Sequence, residues 1–177
     1  MASADAVQIR RLDPRDPAIM SDAFAAVGWR KPVEQYERYL REQRDGLRDV
    51  LVAVVDDEFA GYVTVSWRPT YRPLADAGIP EIQDVNVLPS FRRRGIATRL
   101  LDHAEGLIRG RCDAAGIGVG LHPGYAAAQR MYVLRGYVPD GHGVTVRDDV
   151  VREGQSVVVN DDLVLHLTKR LGRAISS

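Results

Sequence analysis

Apolar residues recur along this chain in two rhythms, one of period two and one near 3.6, and the switches between them mark out its elements. Val7 to Leu12 alternates as a short strand and is closed by D-P-R-D-P. Ala18 to Val27 reads as a helix that Gly28 ends, and Pro32 stands where a first helical residue should. Val33, Tyr36 and Leu40 then follow at helical spacing until Gly46. Residues 48–55 and 59–67 are β-rich and separated by Asp56-Asp57-Glu58, which predicts a hairpin. A proline-punctuated loop covers 68–80, a length that in a compact domain points to function.

The second half alternates strands and helices. Glu81 to Leu88 is a strand, and the helix after it carries Ile96, Leu100, Ala104, Leu107 and Ile108 on one face. Residues 117–121 form a short strand and 124–135 a second amphipathic helix ending at Gly136. That order predicts two parallel strands joined by a crossover. The tail adds two or three strands, over 144–151, 156–160 and 162–169, with a hairpin around Glu153-Gly154. The expected fold is a mixed α/β domain spanning 1–177, with about six to seven strands and about four helices.

Composition narrows the function classes. The 177 residues are 45% hydrophobic and 27% charged, an ordinary balance for a soluble globular domain. Lys+Arg and Asp+Glu are both 24, which argues against a dedicated nucleic-acid binder. Cys112 is the only cysteine, and the histidines at 103, 122, 142 and 166 are scattered, so neither a disulfide framework nor a metal site is expected. The start M-A-S-A-D-A-V lacks the charge-then-apolar pattern of a secretory signal, and no window holds 18 uninterrupted apolar residues. A cytoplasmic protein with no membrane partner is the expectation.

The strongest chemical signal is V-L-P-S-F-R-R-R-G-I-A-T-R-L, residues 87–100. A strand, a cationic turn and a helix start come together there. The first helix N–H groups have no intrahelical partner, and the macrodipole adds positive charge at the same end, so the segment suits a di- or polyphosphate. There is no GxxxxGK followed by serine or threonine, which excludes a P-loop NTPase. Gly116, Gly118 and Gly120 lie inside a strand pattern and not after one, which sets aside a dinucleotide fingerprint.

Arg92-x-x-Gly95-x-Ala97 resembles the Arg/Gln-x-x-Gly-x-Gly/Ala motif of the GCN5-related N-acetyltransferase (GNAT) superfamily. A second block, Y-A-A-A-Q-R-M-Y-V-L-R-G-Y at 125–137, is similar to that family's N-x-x-A-x-x-L-Y-x-x-x-G-F/Y. The resemblance covers roughly 81–137, with Tyr125 standing where the family usually has asparagine. It implies a GNAT fold with splayed parallel strands 4 and 5, and acetyl-CoA as cosubstrate with no metal. Backbone amides of Arg93, Arg94, Gly95, Ile96, Ala97 and Thr98 would hold the pyrophosphate. Arg92 would brace the turn, and Val85, Asn86 and Val87 would pair with the pantetheine arm.

Acetyl transfer to an amine needs a neutral nucleophile, a polarised carbonyl and a proton for the leaving thiolate. A strand-end N–H at Val87 or Leu88 suits the carbonyl. The resemblance makes Tyr132 the general acid and Glu81, with Asp84 second, the base. A strand period of two puts those two acids on opposite faces unless a bulge intervenes. The other glutamate position used in the family is Gly120 here, which removes that route. The expected acceptor is a small-molecule primary amine lying near Trp29, Tyr36, Trp67, Tyr71, Asp140 and His142. A protein or peptide acceptor, or a silent acyl-CoA-binding sensor, are the alternatives. Residues 141–160 exceed a minimal final hairpin, which suits a wall over the acceptor or a homodimer contact.

Overall fold

The computed structural model describes residues 7–172, and these fold as two compact units. The first holds the chain through Trp67 together with Ile82–Leu107; the second holds Arg68–Glu81 and the chain from Ile108 onward. Among the described residues there are eight strands and five α-helices.

In the first unit, β1 (Val7–Arg11), β2 (Arg48–Val55) and β3 (Glu58–Ser66) pair antiparallel in that order, and β4 (Glu81–Val87, of which Glu81 belongs to the second unit) lies beside β3. The β2–β3 hairpin turns at Asp56 and Asp57, both left-handed at φ 49° and 66°, a backbone that short polar side chains tolerate. Helices α1 (Asp16–Ala26) and α2 (Val33–Arg44) bury Met20, Phe24, Tyr36 and Tyr39 against Val52 and Tyr62 of the sheet. Pro32 is the extended residue before α2 and not its first helical one, with φ −68° and ψ 148°. The helix α4 (Ile96–Arg109) follows β4.

In the second unit the strand order is β5 (Ala114–Gly120), β8 (Leu163–Arg170), β6 (Val138–Val146) and β7 (Asp149–Val150), every neighbouring pair antiparallel. The 68–80 segment is not structureless: it holds α3 (Arg72–Asp76), with Pro73 in its first turn, where a missing N–H costs nothing. The glycines of β5 each let another group approach, the usual meaning of glycine inside a strand. A side chain at Gly116 would meet Leu74 of α3, and one at Gly120 would meet the ring of Tyr125. Helix α5 (Ala126–Leu134) follows.

The tail departs from expectation. β6 starts at Val138, because Val138 and Pro139 already pair with β8 before an irregularity over 140–143, where alternation alone reads a turn. Its hairpin turns at Arg147-Asp148, not Glu153-Gly154, and residues 156–160 form no strand. Val158 and Val159 are exposed there, and Val158 lines an open groove of about 320 Å³ with Val146, Arg147 and Asp162.

Candidate active site

The phosphate-loop candidate lies wholly in the first unit. After β4 the chain makes a 3-10 turn over Pro89–Phe91, then reverses at Arg93 and Gly95, both left-handed at φ 61° and 74°. Nothing crowds the position a Cβ would take on Gly95, so glycine is there for its backbone and not for space. The first intrahelical bond of α4 runs from Arg99 N–H to the Gly95 carbonyl at 3.0 Å. The amides of Ile96, Ala97 and Thr98 therefore come before any intrahelical bond, as an anion site requires. The guanidinium of Arg92 lies over Trp29, 5.4 Å from the ring, and that of Arg94 over Phe91 at 5.3 Å. These stacks hold two of the three cations beside the turn.

Strand β4 sorts the backbone candidates. Leu88 N–H donates to the Ala60 carbonyl at 2.9 Å, so it is committed to β3 and unavailable to a thioester carbonyl. The Asn86 carbonyl also faces β3, against Gly61, where any Cβ would collide with it. Backbone groups alternate along a strand, so those of Val85 and Val87 point away from β3. Of the three residues expected to pair with a pantetheine arm, Val85 and Val87 turn their backbone groups away from β3 and Asn86 turns its carbonyl toward it.

Asp84 is left-handed within β4, at φ 54°. That backbone is of the kind a β-bulge uses, and the two acids lie in different surroundings. Asp84 Oδ2 accepts from the Tyr39 hydroxyl at 2.5 Å. Burial pushes the phenols of Tyr36, Tyr39 and Tyr62 well up, and the Asp84 charge pushes each further. Asp84 is thus a carboxylate set among three neutral phenols.

Glu81 sits in the second unit and is 5% exposed. Its Oε1 lies 3.6 Å from His166 Nε2 on β8, and His166 is 2% exposed. The His166 ring stacks flat on Tyr71, with centroids 3.6 Å apart and planes 6° apart. Tyr71 donates to Asp140 Oδ2 at 2.7 Å, and His142 Nδ1 lies 3.3 Å from the same carboxylate. Burial raises the Tyr71 phenol most, followed by Asp140, then Asp148 and Glu81. Sequence reasoning passed over His166, though an imidazole inside L-V-L-H-L-T is an anomaly in an apolar strand.

Tyr132 lies on α5 and is 5% exposed. Its spacing to Gly136 and Tyr137 is the spacing of a Schellman cap. Gly136 is left-handed at φ 91°, Tyr137 N–H bonds back to the Tyr132 carbonyl at 3.0 Å, and Gly136 N–H to that of Val133 at 3.0 Å. Burial, then Tyr125, pushes the Tyr132 phenol up, which keeps it protonated at neutral pH. The ring of Tyr125 covers Gly120, and its hydroxyl donates to Asp161 at 3.2 Å. His122 caps the turn before α5: its Nδ1 accepts from Gly124 N–H at 3.1 Å and its Nε2 lies 2.8 Å from Asp161.

The expected acceptor lining fares less well. Tyr36 and Tyr71 are fully buried, Trp29 stacks on Phe24, and the Trp67 indole donates to the buried Asp49 at 2.9 Å. These side chains are packing and rim, and offer no open aromatic wall. The Cys112 thiol lies 3.9 Å from the Gly78 carbonyl.

The acetyltransferase (GNAT) family profile matches residues 17–137. The chain belongs to that family. The protein yncA from Salmonella typhimurium, solved with its cofactor acetyl-CoA, is 18% identical over 97% of this chain and 98% of its own, with a TM-score of 0.68. NAA60 from Arabidopsis thaliana, in complex with a bisubstrate analogue, is 17% identical over 93% and 98%, at 0.67. The ribosomal-protein-S18-alanine N-acetyltransferase from Escherichia coli is 12% identical over 96% of both chains, at 0.68. No curated protein matches the sequence. The GNAT fold is therefore shown over nearly the whole chain, and the family is one of acetyltransferases. Among the described residues of this GNAT protein, no helix is long and apolar enough to cross a membrane, and no group of three or more His, Cys, Asp or Glu could hold a metal ion.

Proposed function

We propose that this GNAT protein moves an acetyl group directly from acetyl-CoA to the primary amine of a small molecule. The observation that carries the donor half is the left-handed turn at Arg93 and Gly95, which leaves the first amides of α4 ahead of the helix's own bonds. Those amides bind the pyrophosphate, with Arg92, Arg93 and Arg94 adding charge. Val85 and Val87 pair with the pantetheine arm, and the Val87 N–H polarises the thioester carbonyl. Glu81 takes the proton that the acceptor ammonium must shed, and Tyr132 returns one to the leaving thiolate. Asp84, capped by Tyr39, supports the strand's bulge.

The buried Tyr132 phenol holds its proton at neutral pH, as a donor must, while the same burial makes it a weaker acid toward the thiolate, so the role rests on its motif position. A protein or peptide acceptor is the second reading, favoured by the likeness to the ribosomal-protein-S18-alanine N-acetyltransferase. Free-thiol release from acetyl-CoA, measured against monoamines, polyamines, amino acids and short peptides, separates the two. Faster turnover on peptides than on every free amine reverses the assignment. Acetyl-CoA binding without thiol release on any of them leaves a sensor.

A further inference from the structure

We propose that His166 is a positioning residue for the base: its imidazole orients the buried Glu81 carboxylate and supplies the charge that keeps it ready to accept a proton. The inference rests on the reading of Glu81 as the base. A buried carboxylate stays ionised only where something pays its desolvation, and His166 Nε2 faces Glu81 Oε1 at 3.6 Å. The same nitrogen faces Asp148 Oδ1 at 3.9 Å, so one imidazole stands between two acids. Both spacings exceed a hydrogen bond by a few tenths of an ångström, as catalytic contacts often do before substrate tightens them.

The surroundings hold the imidazole in this place. Tyr71 stacks on its face at 3.6 Å, which blocks ring rotation. Gly118 of β5 is paired with His166 across the strands, and a Cβ there would lie 3.5 Å from Nε2 and 3.6 Å from Glu81 Oε1. Those are ordinary contact distances, and the neighbour such a Cβ would crowd is Val164 Cγ1, at 2.9 Å. Asp148 is fixed from two sides: Thr70 donates to its Oδ2 at 2.6 Å, and it forms the second half of a two-residue turn with Arg147. Both turn residues are left-handed, at φ 51° and 68°. A non-glycine pair in that backbone is costly, and here the cost keeps a carboxylate over the imidazole.

The charged and titratable groups around His166 are Glu81 from β4, Asp148 from the β6–β7 turn, and Tyr71, with Asp140 and His142 behind it. Three carboxylates in that set make the location negative. The Nδ1 atom of His166 is buried with no hydrogen-bond partner. A histidine kept for packing alone would be better replaced by an apolar side chain there, since the orphaned nitrogen carries a desolvation cost.

Histidine-selective ¹⁵N labelling of the full chain reads this pair without any acceptor, with His166 assigned by the signal lost in His166→Gln. Glu81→Gln should move the His166 titration midpoint down by half a pH unit or more, and Asp148→Asn should move it the same way by less. An unmoved midpoint in Glu81→Gln overturns the proposal. In turnover on the fastest amine found, His166→Gln should shift the acid limb of the kcat/KM profile to higher pH. It should cost about tenfold at pH 7 and leave acetyl-CoA affinity intact. An equal fall at every pH means a structural role and also overturns it. If His166→Gln does not fold, Asp148→Asn at the exposed turn carries the same limb shift. If Glu81→Gln keeps full turnover while the NMR coupling persists, the base assignment has failed and the pair is structural.

Discussion

Two carboxylates three residues apart in one strand, Glu81 and Asp84, end up in opposite chemical company. Asp84 belongs to the first unit and lies among phenols, one of which donates to it directly. Glu81 belongs to the second unit and lies beside an imidazole, with a further acid across it. A phenol can steady a carboxylate by hydrogen bonding but brings no compensating charge. An imidazole can bring both. The difference teaches that the role of an acid is set by its neighbours and not by its place in a motif. It also ranks the two candidates in a way that spacing along β4 could not.

The phenol surroundings give the largest expected effect. Tyr36, Tyr39 and Tyr62 in the first unit, and Tyr71 and Tyr132 in the second, all have raised phenols, with burial the leading cause in each. In the unfolded chain each ionises near pH ~10. Folding therefore favours the neutral form; its contribution is complete below pH ~10 and is lost as pH rises toward the folded values. Each phenol contributes a slope of about 1.4 kcal/mol per pH unit in that range. Urea midpoints should fall steeply between about pH 10 and 11, by several kcal/mol in all, after a nearly flat stretch from pH 7 to 9. A flat curve through pH 11 would mean that these hydroxyls reach solvent.

Next in size is the donor loop. Gly95→Asp puts a β-carbon on a left-handed residue and a negative charge where phosphate should bind, so acetyl-CoA affinity should fall at least about a hundredfold by calorimetry. Unchanged affinity removes the loop from donor binding. Tyr132→Phe tests the second unit alone. It should lower kcat about a hundredfold while the acetyl-CoA Kd stays within about twofold, because the hydroxyl matters only when the thiolate leaves. Full activity strikes Tyr132 from the mechanism.

The motif blocks were legible in sequence because each residue in them answers to a local rule. Gly95 and Gly136 are left-handed, and Tyr132 and Tyr137 close a helix cap, so spacing alone carries the geometry. The long-range pairings were not legible. Nothing in β4 announces that Leu88 N–H is committed to Ala60, or that Asn86 backs onto Gly61. The His166–Glu81 contact joins residues 85 positions apart, across two strands and a glycine. The three glycines of β5 were a false lead as a fingerprint. They turn out to mark where Leu74, Val164 and the Tyr125 ring press on the strand. The start of β6 is hidden for a related reason: V-P-D-G-H-G has the composition of a turn, and only the pairing of Val138 and Pro139 with β8 begins the strand there.

The smallest expected change in turnover comes from Tyr39→Phe, and it bears most directly on the comparison of the two acids. The substitution keeps the ring, whose faces meet the Arg48 and Arg38 guanidinium groups at 4.5 and 5.3 Å, and removes only the hydroxyl that donates to Asp84. A hydrogen bond to a charged group contributes about 1.5–3 kcal/mol, so the variant should unfold at lower urea by that amount. If Asp84 serves only the strand's bulge, kcat/KM should change less than about threefold, since neither the loop amides nor Glu81 loses a partner. If kcat/KM instead falls a hundredfold while the midpoint hardly moves, the hydroxyl acts in the reaction. Asp84 would then take the base role and Glu81 the structural one. Stability loss with turnover kept, or the reverse, is the outcome that decides which of the two carboxylates the enzyme uses.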